Sequence, residues 1–305
     1  MMTERERLIR LNLIPGLGST WLRRVLDAFD GLDRLWAADV TELQRVAGIS
    51  PQAAERLAAA RQDDARLSRE LALAERCGAA IVTLADAAYP KRLRTIPDPP
   101  LALYVRGALA AADETAVAVV GSRRASPYGL QCAERLSEEL ALRGISVVSG
   151  LALGIDGAAH RGALRSGGRT LAVLGSGMSR LYPPQHERLA SRVAEQGAVL
   201  SEYPLETDPL PHHFPRRNRL ISGLSLGVVV VEASGRSGAL ITADMALEQG
   251  REVFAVPGPM TSVTSEGTHR LLKQGARLVT SVEDVLDELR LRPQAVGASE
   301  AGVAG

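Results

Sequence analysis

The sequence contains little cysteine and no long apolar run. Its 305 residues include two cysteines, Cys77 and Cys132, which are too few for a disulfide framework or a four-cysteine zinc site. The N-terminus leads directly into an amphipathic pattern without the apolar core of a signal peptide, and no stretch approaches the roughly 18 apolar residues of a membrane span. We therefore expect a cytoplasmic protein of a reducing compartment, with no membrane association, no metal and no cofactor.

The sequence also has almost no net charge. Lysine and arginine number 36 against 35 aspartate and glutamate, for a formal net charge of +1. A domain with a broad phosphate-binding surface usually shows a basic excess, so this balance argues against such a surface. It does not exclude a discrete pocket, because a neutral chain can still gather positive charge locally. Lysine occurs only at Lys91 and Lys273, so any such pocket must be built from arginine.

Protein domains have roughly 150 residues on average, so the length of the chain predicts two domains. Residues 1–72 show apolar residues at helical spacing and no convincing strand. Two glycine-containing turns, at residues 14–19 and 46–51, suggest a small all-α domain of the SAM or helix-hairpin-helix type. The backbone amides of such turns can hold a phosphate at a helix N-terminus. An equally favoured interpretation is that both turns only cap helices, in a bundle that binds another protein or has no ligand.

A different pattern of apolar residues predicts an α/β domain over residues 73–290. Short apolar runs alternate with helical patterns, which is typical of βαβ units and a mostly parallel sheet. We therefore expect a Rossmann-like, doubly wound fold. Residues 291–305 are predicted to be a flexible tail. The predicted strands lie at residues 80–84, 117–120, 146–149, 170–174, 198–200, 227–231, 253–256 and 277–280. Residues 89–105 are interpreted as a proline-rich connection between the first two of them.

Ligands of such a sheet bind beyond the carboxyl ends of its strands, and the first loop there is Gly121-Ser122-Arg123. The next helix should begin with Ser126 as N-cap and Pro127 in its first turn. A glycine at the strand end, a helix N-terminus and an arginine fork together predict an anion site. The alternative is that Arg123 only pairs with a carboxylate.

A second loop, which begins at Gly150, opens the helix that carries His160. We interpret Asp156 as the N-cap of this helix, with His160 four residues later on the same face. A carboxylate and an imidazole could do acid–base chemistry, but the sequence shows no nucleophile nearby, so a structural role is favoured. A third loop, Gly175-Ser176-Gly177, is interpreted as holding the next segment, residues 181–184, in place.

The most informative stretch is residues 211–221, where Arg216, Arg217 and Arg219 concentrate positive charge beside Phe214. Single-stranded nucleic acid needs such a combination, because bases stack on an aromatic ring while arginines hold phosphates. Asn218 is one of two asparagines, which favours a specific hydrogen-bonding role. The alternative is a solvated, arginine-rich loop whose phenylalanine fills the core. Zinc is disfavoured because the adjacent histidines of this stretch have no further ligand at suitable spacing.

One more helix N-terminus is predicted at the same sheet edge, after the strand at residues 227–231. Ser237 and Gly238 would begin this helix, and its amides together with Thr242 could contact phosphate.

Taken together, these residues resemble the DprA/Smf family of DNA-processing proteins. The similarity covers about residues 80–287, and the helical domain of the family also fits residues 1–70. The matching blocks are Gly121-Ser122-Arg123, Ser149-Gly150-Leu151-Ala152 with Gly154-Ile155-Asp156, Ala172-Val173-Leu174-Gly175 with Tyr182-Pro183, Phe214-Pro215-Arg216-Arg217-Asn218-Arg219, Val231-Glu232-Ala233 with Ser237-Gly238, and Val256-Pro257-Gly258.

The resemblance implies a non-enzymatic protein without catalytic residues. Such a protein binds single-stranded DNA during natural transformation, protects it, loads the RecA recombinase and acts as a homodimer through its Rossmann-like domain. By matching position, the DNA pocket would be lined by Arg123, Gly150, the segment from Phe214 to Arg219, and the turn at Ser237 and Gly238.

Three departures from the family pattern stand out. Leu153 replaces a frequent polar or basic residue, and His269 replaces a usual asparagine. The winged-helix domain of many relatives is expected to be absent.

A nucleotide-binding or phosphoribohydrolase-type enzyme is the alternative function. Those enzymes resemble one another in a Pro-Gly-Gly-x-Gly-Thr loop followed by a catalytic glutamate. Residues 233–238 of this chain, Ala-Ser-Gly-Arg-Ser-Gly, do not contain that loop.

Overall fold

The computed structural model describes residues 2–46 and 48–291. Most of the segment predicted as a flexible tail, residues 292–305, lies outside this range. Within the described residues, no helix is both long and apolar enough to cross a bilayer.

The backbone divides into two compact units. Among the described residues, one unit contains residues 2–46, 48–106, 174–181 and 200–210, and the other contains residues 107–173, 182–199 and 211–291. The domain boundary expected at residue 72 stays a prediction.

The N-terminal segment is helical, as its apolar spacing predicts. Helix starts are set by local capping: Thr3 and Glu6 form a reciprocal capping box, and Ser50 caps a helix that begins with Pro51. Leucines at helical spacing, such as Leu11 and Leu57, are fully buried in the core of this segment. The helices are α1 (Glu4–Asn12), α2 (Ser19–Ala28), α3 (Leu32–Ala37), α4 (Val40–Arg45), α5 (Pro51–Ala60) and α6 (Asp64–Arg76).

The predicted α/β fold is confirmed. Nine strands form a sheet in the order β1-β2-β6-β5-β4-β3-β7-β8-β9. Strands β1 and β2 pair antiparallel, whereas β5, β4, β3, β7, β8 and β9 pair in parallel. The strands are β1 (Ala79–Thr83), β2 (Ala102–Gly107), β3 (Ala116–Val120), β4 (Ser146–Ser149), β5 (Thr170–Val173), β6 (Ala198–Ser201), β7 (Gly227–Val230), β8 (Glu252–Ala255) and β9 (Arg277–Leu278).

The central strands β3, β4, β5 and β7 are buried at every residue, as expected for a sheet covered on both faces. The order places β3 between β4 and β7, so the chain reverses its direction of winding there and leaves a crevice at the carboxyl ends of these strands. The remaining helices are α7 (Lys91–Arg94), α8 (Pro127–Leu142), α9 (Ile155–Arg165), α10 (Glu187–Gln196), α11 (His213–Gly223), α12 (Gly238–Glu248), α13 (Glu266–Lys273) and α14 (Val282–Glu288).

Close packing of α8 against α9 depends on Gly162. A Cβ atom at this position would overlap the backbone carbonyl group of Glu134 on the facing helix. Gly162→Ala is therefore expected to lower the free energy of unfolding by about 1–2 kcal/mol, because overpacking outweighs the gain in helix propensity. Urea unfolding followed by circular dichroism measures this change. Gly238→Ala is the matched control, since a Cβ there meets no atom within 4 Å; equal losses in both variants would contradict the packing argument.

Candidate functional site

The loop after β3 is held in place by Glu232, which lies two residues after the end of the neighbouring strand β7. The buried Glu232 carboxylate accepts hydrogen bonds from the Ser126 amide at 2.9 Å and from the Ser126 hydroxyl at 2.5 Å. Ser126 caps α8 and Pro127 stands in its first turn, as predicted. A Cβ at Gly121 would lie 2.9 Å from the Glu232 carbonyl oxygen. Glycine is therefore required where this loop passes β7.

The Arg217 guanidinium lies inside the molecule, at the carboxyl ends of two other strands. It donates hydrogen bonds to the carbonyl of Gly150 at 2.7 Å and to the carbonyl of Val173, and Arg217 is only 3% exposed. Gly150 follows β4 and Val173 ends β5. A single cation from α11 thus joins the ends of both strands.

The Asp156 carboxylate lies beside this guanidinium. A Cβ at Gly150 would sit 2.5 Å from an Arg217 nitrogen and 2.7 Å from an Asp156 oxygen, so only glycine leaves room for both side chains. The same carboxylate oxygen accepts a hydrogen bond from the Gly150 amide at 3.1 Å. Burial raises the pKa of Asp156, and the Arg217 guanidinium opposes that rise.

The prediction that Asp156 is the N-cap of α9 is wrong. The N-cap is Gly154, whose φ of 78° lies in the left-handed region and whose missing side chain lets the loop pass close to the carbonyl of Ser122. Asp156 is instead the second residue of α9. Its carboxylate turns back onto the loop that precedes the helix.

Phe214 is part of an aromatic and cationic cluster at the surface. The Arg123 guanidinium carbon lies 5.0 Å from the centroid of the Phe214 ring. On another side, the Tyr182 ring lies 5.7 Å away at an interplanar angle of 57°. Arg123 and Tyr182 are exposed and Phe214 is half-buried. We call Arg123, Phe214 and Tyr182 the stacked row.

The other residues of α11 that were predicted to contact DNA differ in their exposure to solvent. Arg216 is exposed, whereas Arg219 is buried. Successive residues of a helix are rotated by about 100°, so Arg219 projects to nearly the opposite side from Arg217. The Asn218 amide donates to the carbonyl of Gly238 at 3.3 Å and so links α11 to the start of α12. DNA contacts by these four residues stay predictions.

The predicted turn at the start of α12 is present. Ser237 is the N-cap and its hydroxyl accepts a hydrogen bond from the Ala239 amide at 3.3 Å. Gly238 is exposed, whereas Thr242 is buried. The turn can therefore present backbone amides to a ligand, while the Thr242 hydroxyl is enclosed by protein. A phosphate contact at this turn stays a prediction.

Sequence reasoning missed two residues of the site. Tyr182 was placed in a segment that the preceding loop holds, without a role in binding, and Glu232 received no role. The signal for Glu232 was available, because a carboxylate directly after a buried parallel strand lies at the ligand edge of the sheet. Tyr182 gave no comparable signal: it is 32 positions from Phe214, and only the folded chain brings the two rings together.

His160 occupies the core rather than the site surface. Its Nδ1 lies 2.7 Å from the Thr170 hydroxyl oxygen, and that hydroxyl donates to the Val147 carbonyl. Nδ1 must therefore carry the proton and act as the donor. Burial lowers the pKa of His160 to about 3, so the ring is neutral near pH 7. Among the described residues, no group of three or more histidine, cysteine or acidic side chains is arranged to hold a metal.

Comparison with known proteins identifies the family of this chain. A family model described as DNA recombination-mediator protein A matches residues 80–290. The chain belongs to this family. Among curated relatives, Protein Smf of Escherichia coli (strain K12) is 54% identical over 203 residues, which cover 66% of this chain and 54% of that protein. DNA processing protein DprA of Streptococcus pneumoniae is 45% identical over 226 residues, covering 74% of this chain and 78% of the relative.

Two solved structures of the DprA family share this fold. DprA from S. pneumoniae superimposes with a TM-score of 0.82 at 38% identity, covering 94% of this chain and 99% of that one. DNA processing protein A from Helicobacter pylori, whose single-stranded-DNA binding mode has been described, superimposes with a TM-score of 0.62 at 31% identity. That match covers 70% of this chain and 97% of the H. pylori chain.

The neutral, buried state of His160 predicts a pH dependence of stability. The pKa of His160 is lowered from 6.5 to about 3 in the folded protein, so below pH 6.5 the unfolded chain binds the extra proton. The contribution of neutral His160 to the free energy of unfolding is therefore fully present above pH 6.5 and is lost as the pH falls towards 3. Between pH 7 and pH 5 the loss amounts to about 2 kcal/mol.

Urea unfolding of the wild type and of His160→Gln at both pH values measures this loss. The variant should lose about 2 kcal/mol less than the wild type over the interval. Identical pH profiles of the two proteins would show that His160 is not held neutral.

Proposed function

We propose that the chain binds single-stranded DNA at the stacked row and acts without catalysis as a recombination mediator. The observation that carries this proposal is the Arg123 guanidinium 5.0 Å above the Phe214 ring, at the carboxyl edge of the sheet. Family membership supports it, as does the H. pylori relative, for which a single-stranded-DNA binding mode is described. A base stacked on an aromatic side chain contributes roughly 1–3 kcal/mol.

Binding of DNA requires one rearrangement of the stacked row, a movement of the Arg123 side chain. In the free protein Arg123 covers a face of the Phe214 ring, a cation–π contact worth only about 0.5–1 kcal/mol at an exposed site. A phosphate offers the same guanidinium a stronger, charge-assisted hydrogen bond. Arg123 therefore moves from the ring to the phosphate, and the ring face that it leaves accepts a base.

The arginines of α11 then have separate tasks. Arg216 is exposed and is placed to hold a second phosphate. Arg217 would have to leave two backbone carbonyls to contact DNA, so its present geometry favours a positioning role: it keeps α11, and with it Phe214, against the ends of β4 and β5. The sequence-based assignment of Arg217 to the DNA pocket becomes, in this proposal, an indirect contribution.

The biological role follows from the family. A recombination mediator passes single-stranded DNA to a recombinase, so we propose that this chain protects incoming DNA in natural transformation and loads RecA onto it. The nearly neutral chain offers a discrete site rather than a broad basic surface, so a second subunit is needed to hold a strand firmly. We therefore also propose a homodimer through the Rossmann-like domain.

Mutation of the stacked row tests DNA binding. Arg123→Ala should weaken binding of fluorescein-labelled oligo-dT about ten-fold and reduce the slope of log affinity against log salt by about 0.7, because one phosphate contact is lost. Phe214→Ala should also weaken binding about ten-fold, through lost stacking, but should leave the salt slope unchanged. Fluorescence anisotropy over a salt series measures both effects.

Arg124→Ala is the matched control for these variants, since Arg124 is the exposed neighbour of Arg123. It should change affinity less than two-fold. Unchanged affinity in both Arg123→Ala and Phe214→Ala would overturn the site assignment.

Mutation of an exposed apolar side chain that follows β8 tests the proposed homodimer. Met260 is 91% exposed and Val263 is 64% exposed, and we propose that these two neighbouring side chains form part of an apolar patch at the dimer interface. Met260→Asp should convert the dimer to a monomer in sedimentation equilibrium, because a carboxylate cannot be buried unpaired. Leu142→Asp, at another exposed leucine, should leave the dimer intact. A wild-type monomer, or loss of the dimer in both variants, would contradict this surface assignment.

A further inference from the structure

The N-terminal helices enclose a cavity that the proposed DNA site does not use. It measures about 590 Å³, within the range of pockets that hold small ligands or inserted side chains. Its walls come from the end of α1, the following turn at residues 13–16, the end of α5 and the start of α6. The family model begins at residue 80, so it does not include these elements. We call this space the helical cavity.

The floor of the helical cavity is apolar, and the residues around it include three arginines. Leu13 and Ile14 are buried and line it together with alanines of α5. Arg10, Arg56 and Arg66 complete the lining. An apolar floor beside several guanidinium groups suits a ligand that is itself both apolar and anionic.

Arg10 is the buried member of this set. It is 4% exposed and pairs with the carboxylate of Asp64. Its Nη1 reaches the carbonyl of Ala60 only at 3.5 Å, and its Nε has no hydrogen-bond partner among the described residues. A buried donor without a partner carries a free-energy cost that an anionic ligand in the cavity can relieve.

Arg56 and Arg66 are exposed at the mouth. The Arg56 guanidinium donates one long hydrogen bond, of 3.4 Å, to the carbonyl of Pro15, and a guanidinium group carries five N–H donors. The Asp63 carboxylate is engaged as the N-cap of α6, where it accepts from the backbone amide of Arg66. With Asp64 paired to Arg10, the guanidinium groups of Arg56 and Arg66 remain to attract an anion from solution.

The lining favours a peptide over nucleic acid. None of the described residues that line the helical cavity is aromatic, so a base would find no ring on which to stack. Carboxylates match the planar fork of arginine, and a leucine or phenylalanine side chain matches the apolar floor. Arginines beside a small apolar depression are typical of the energetically important centre of a protein–protein interface.

We propose that the helical cavity binds an acidic peptide segment of a partner protein. One apolar side chain of that segment enters the cavity, and its neighbouring carboxylates pair with Arg56 and Arg66. The N-terminal helices thus recruit a protein partner, independently of the stacked row.

A defined peptide tests this site on the full chain. The probe is a fluorescein-labelled octapeptide with Leu-Phe at its centre and three acidic residues on each side. We expect saturable binding in fluorescence anisotropy that weakens at least ten-fold in the double variant Arg56→Ala with Arg66→Ala. Ala59→Phe should weaken it equally, because Ala59 is an exposed lining residue and the larger side chain fills the cavity without a change in charge.

Two controls distinguish peptide binding in the helical cavity from non-specific attraction between opposite charges. Arg24→Ala with Arg45→Ala removes the same charge from exposed positions of α2 and α4, outside the cavity lining, and should change peptide affinity less than two-fold. Oligo-dT binding should be the same in all three variants. The proposal is overturned by absence of saturable peptide binding, by equal losses in the control variant, or by loss of oligo-dT binding in the cavity variants, which would make this face part of the DNA surface.

Discussion

The buried guanidinium of Arg217 is the interaction on which the candidate site depends. Burial of a cation costs several kcal/mol unless its donors are satisfied, and here the carbonyls of Gly150 and Val173 accept its hydrogen bonds with the Asp156 carboxylate close by. These partners lie at the ends of adjacent parallel strands, so α11 cannot slide along this edge without leaving a charge unpaired. Gly150 is required because a side chain there would occupy the space of both ions.

This constraint explains how a chain of almost zero net charge can present the discrete site that we propose for single-stranded DNA. Phe214 precedes Arg217 by nearly one helical turn, so the fixed position of the guanidinium also fixes the ring beside Tyr182 and under Arg123. The exposed guanidinium groups are then few but placed at the ligand edge of the sheet. In the function that we propose, affinity for a strand depends on stacking and on a few phosphate contacts rather than on overall charge.

Much of this architecture could be predicted from the sequence, because continuous apolar runs identify strands that are buried on both faces. All eight predicted strands are present, with ends displaced by at most two residues. Strand β2 was not predicted, because its residues were interpreted as the end of a proline-rich connection. The burial of Arg217 beside an exposed Arg216 could not be predicted, because adjacency in sequence does not show which side of a helix faces the protein. The Asp156 error had a similar origin: an acidic residue near a helix start suggests a cap, but the backbone conformation of Gly154 determines where the helix begins.

We propose that Arg217 holds the site in place while the stacked row binds the strand. A crystal structure of the full chain with a short oligo-dT tests it most directly. We predict a base on the face of the Phe214 ring, the Arg123 guanidinium on a phosphate, and Arg217 still bound to the carbonyls of Gly150 and Val173. A strand bound away from the Phe214 ring, or an Arg217 that has left those carbonyls for a phosphate, would contradict the account.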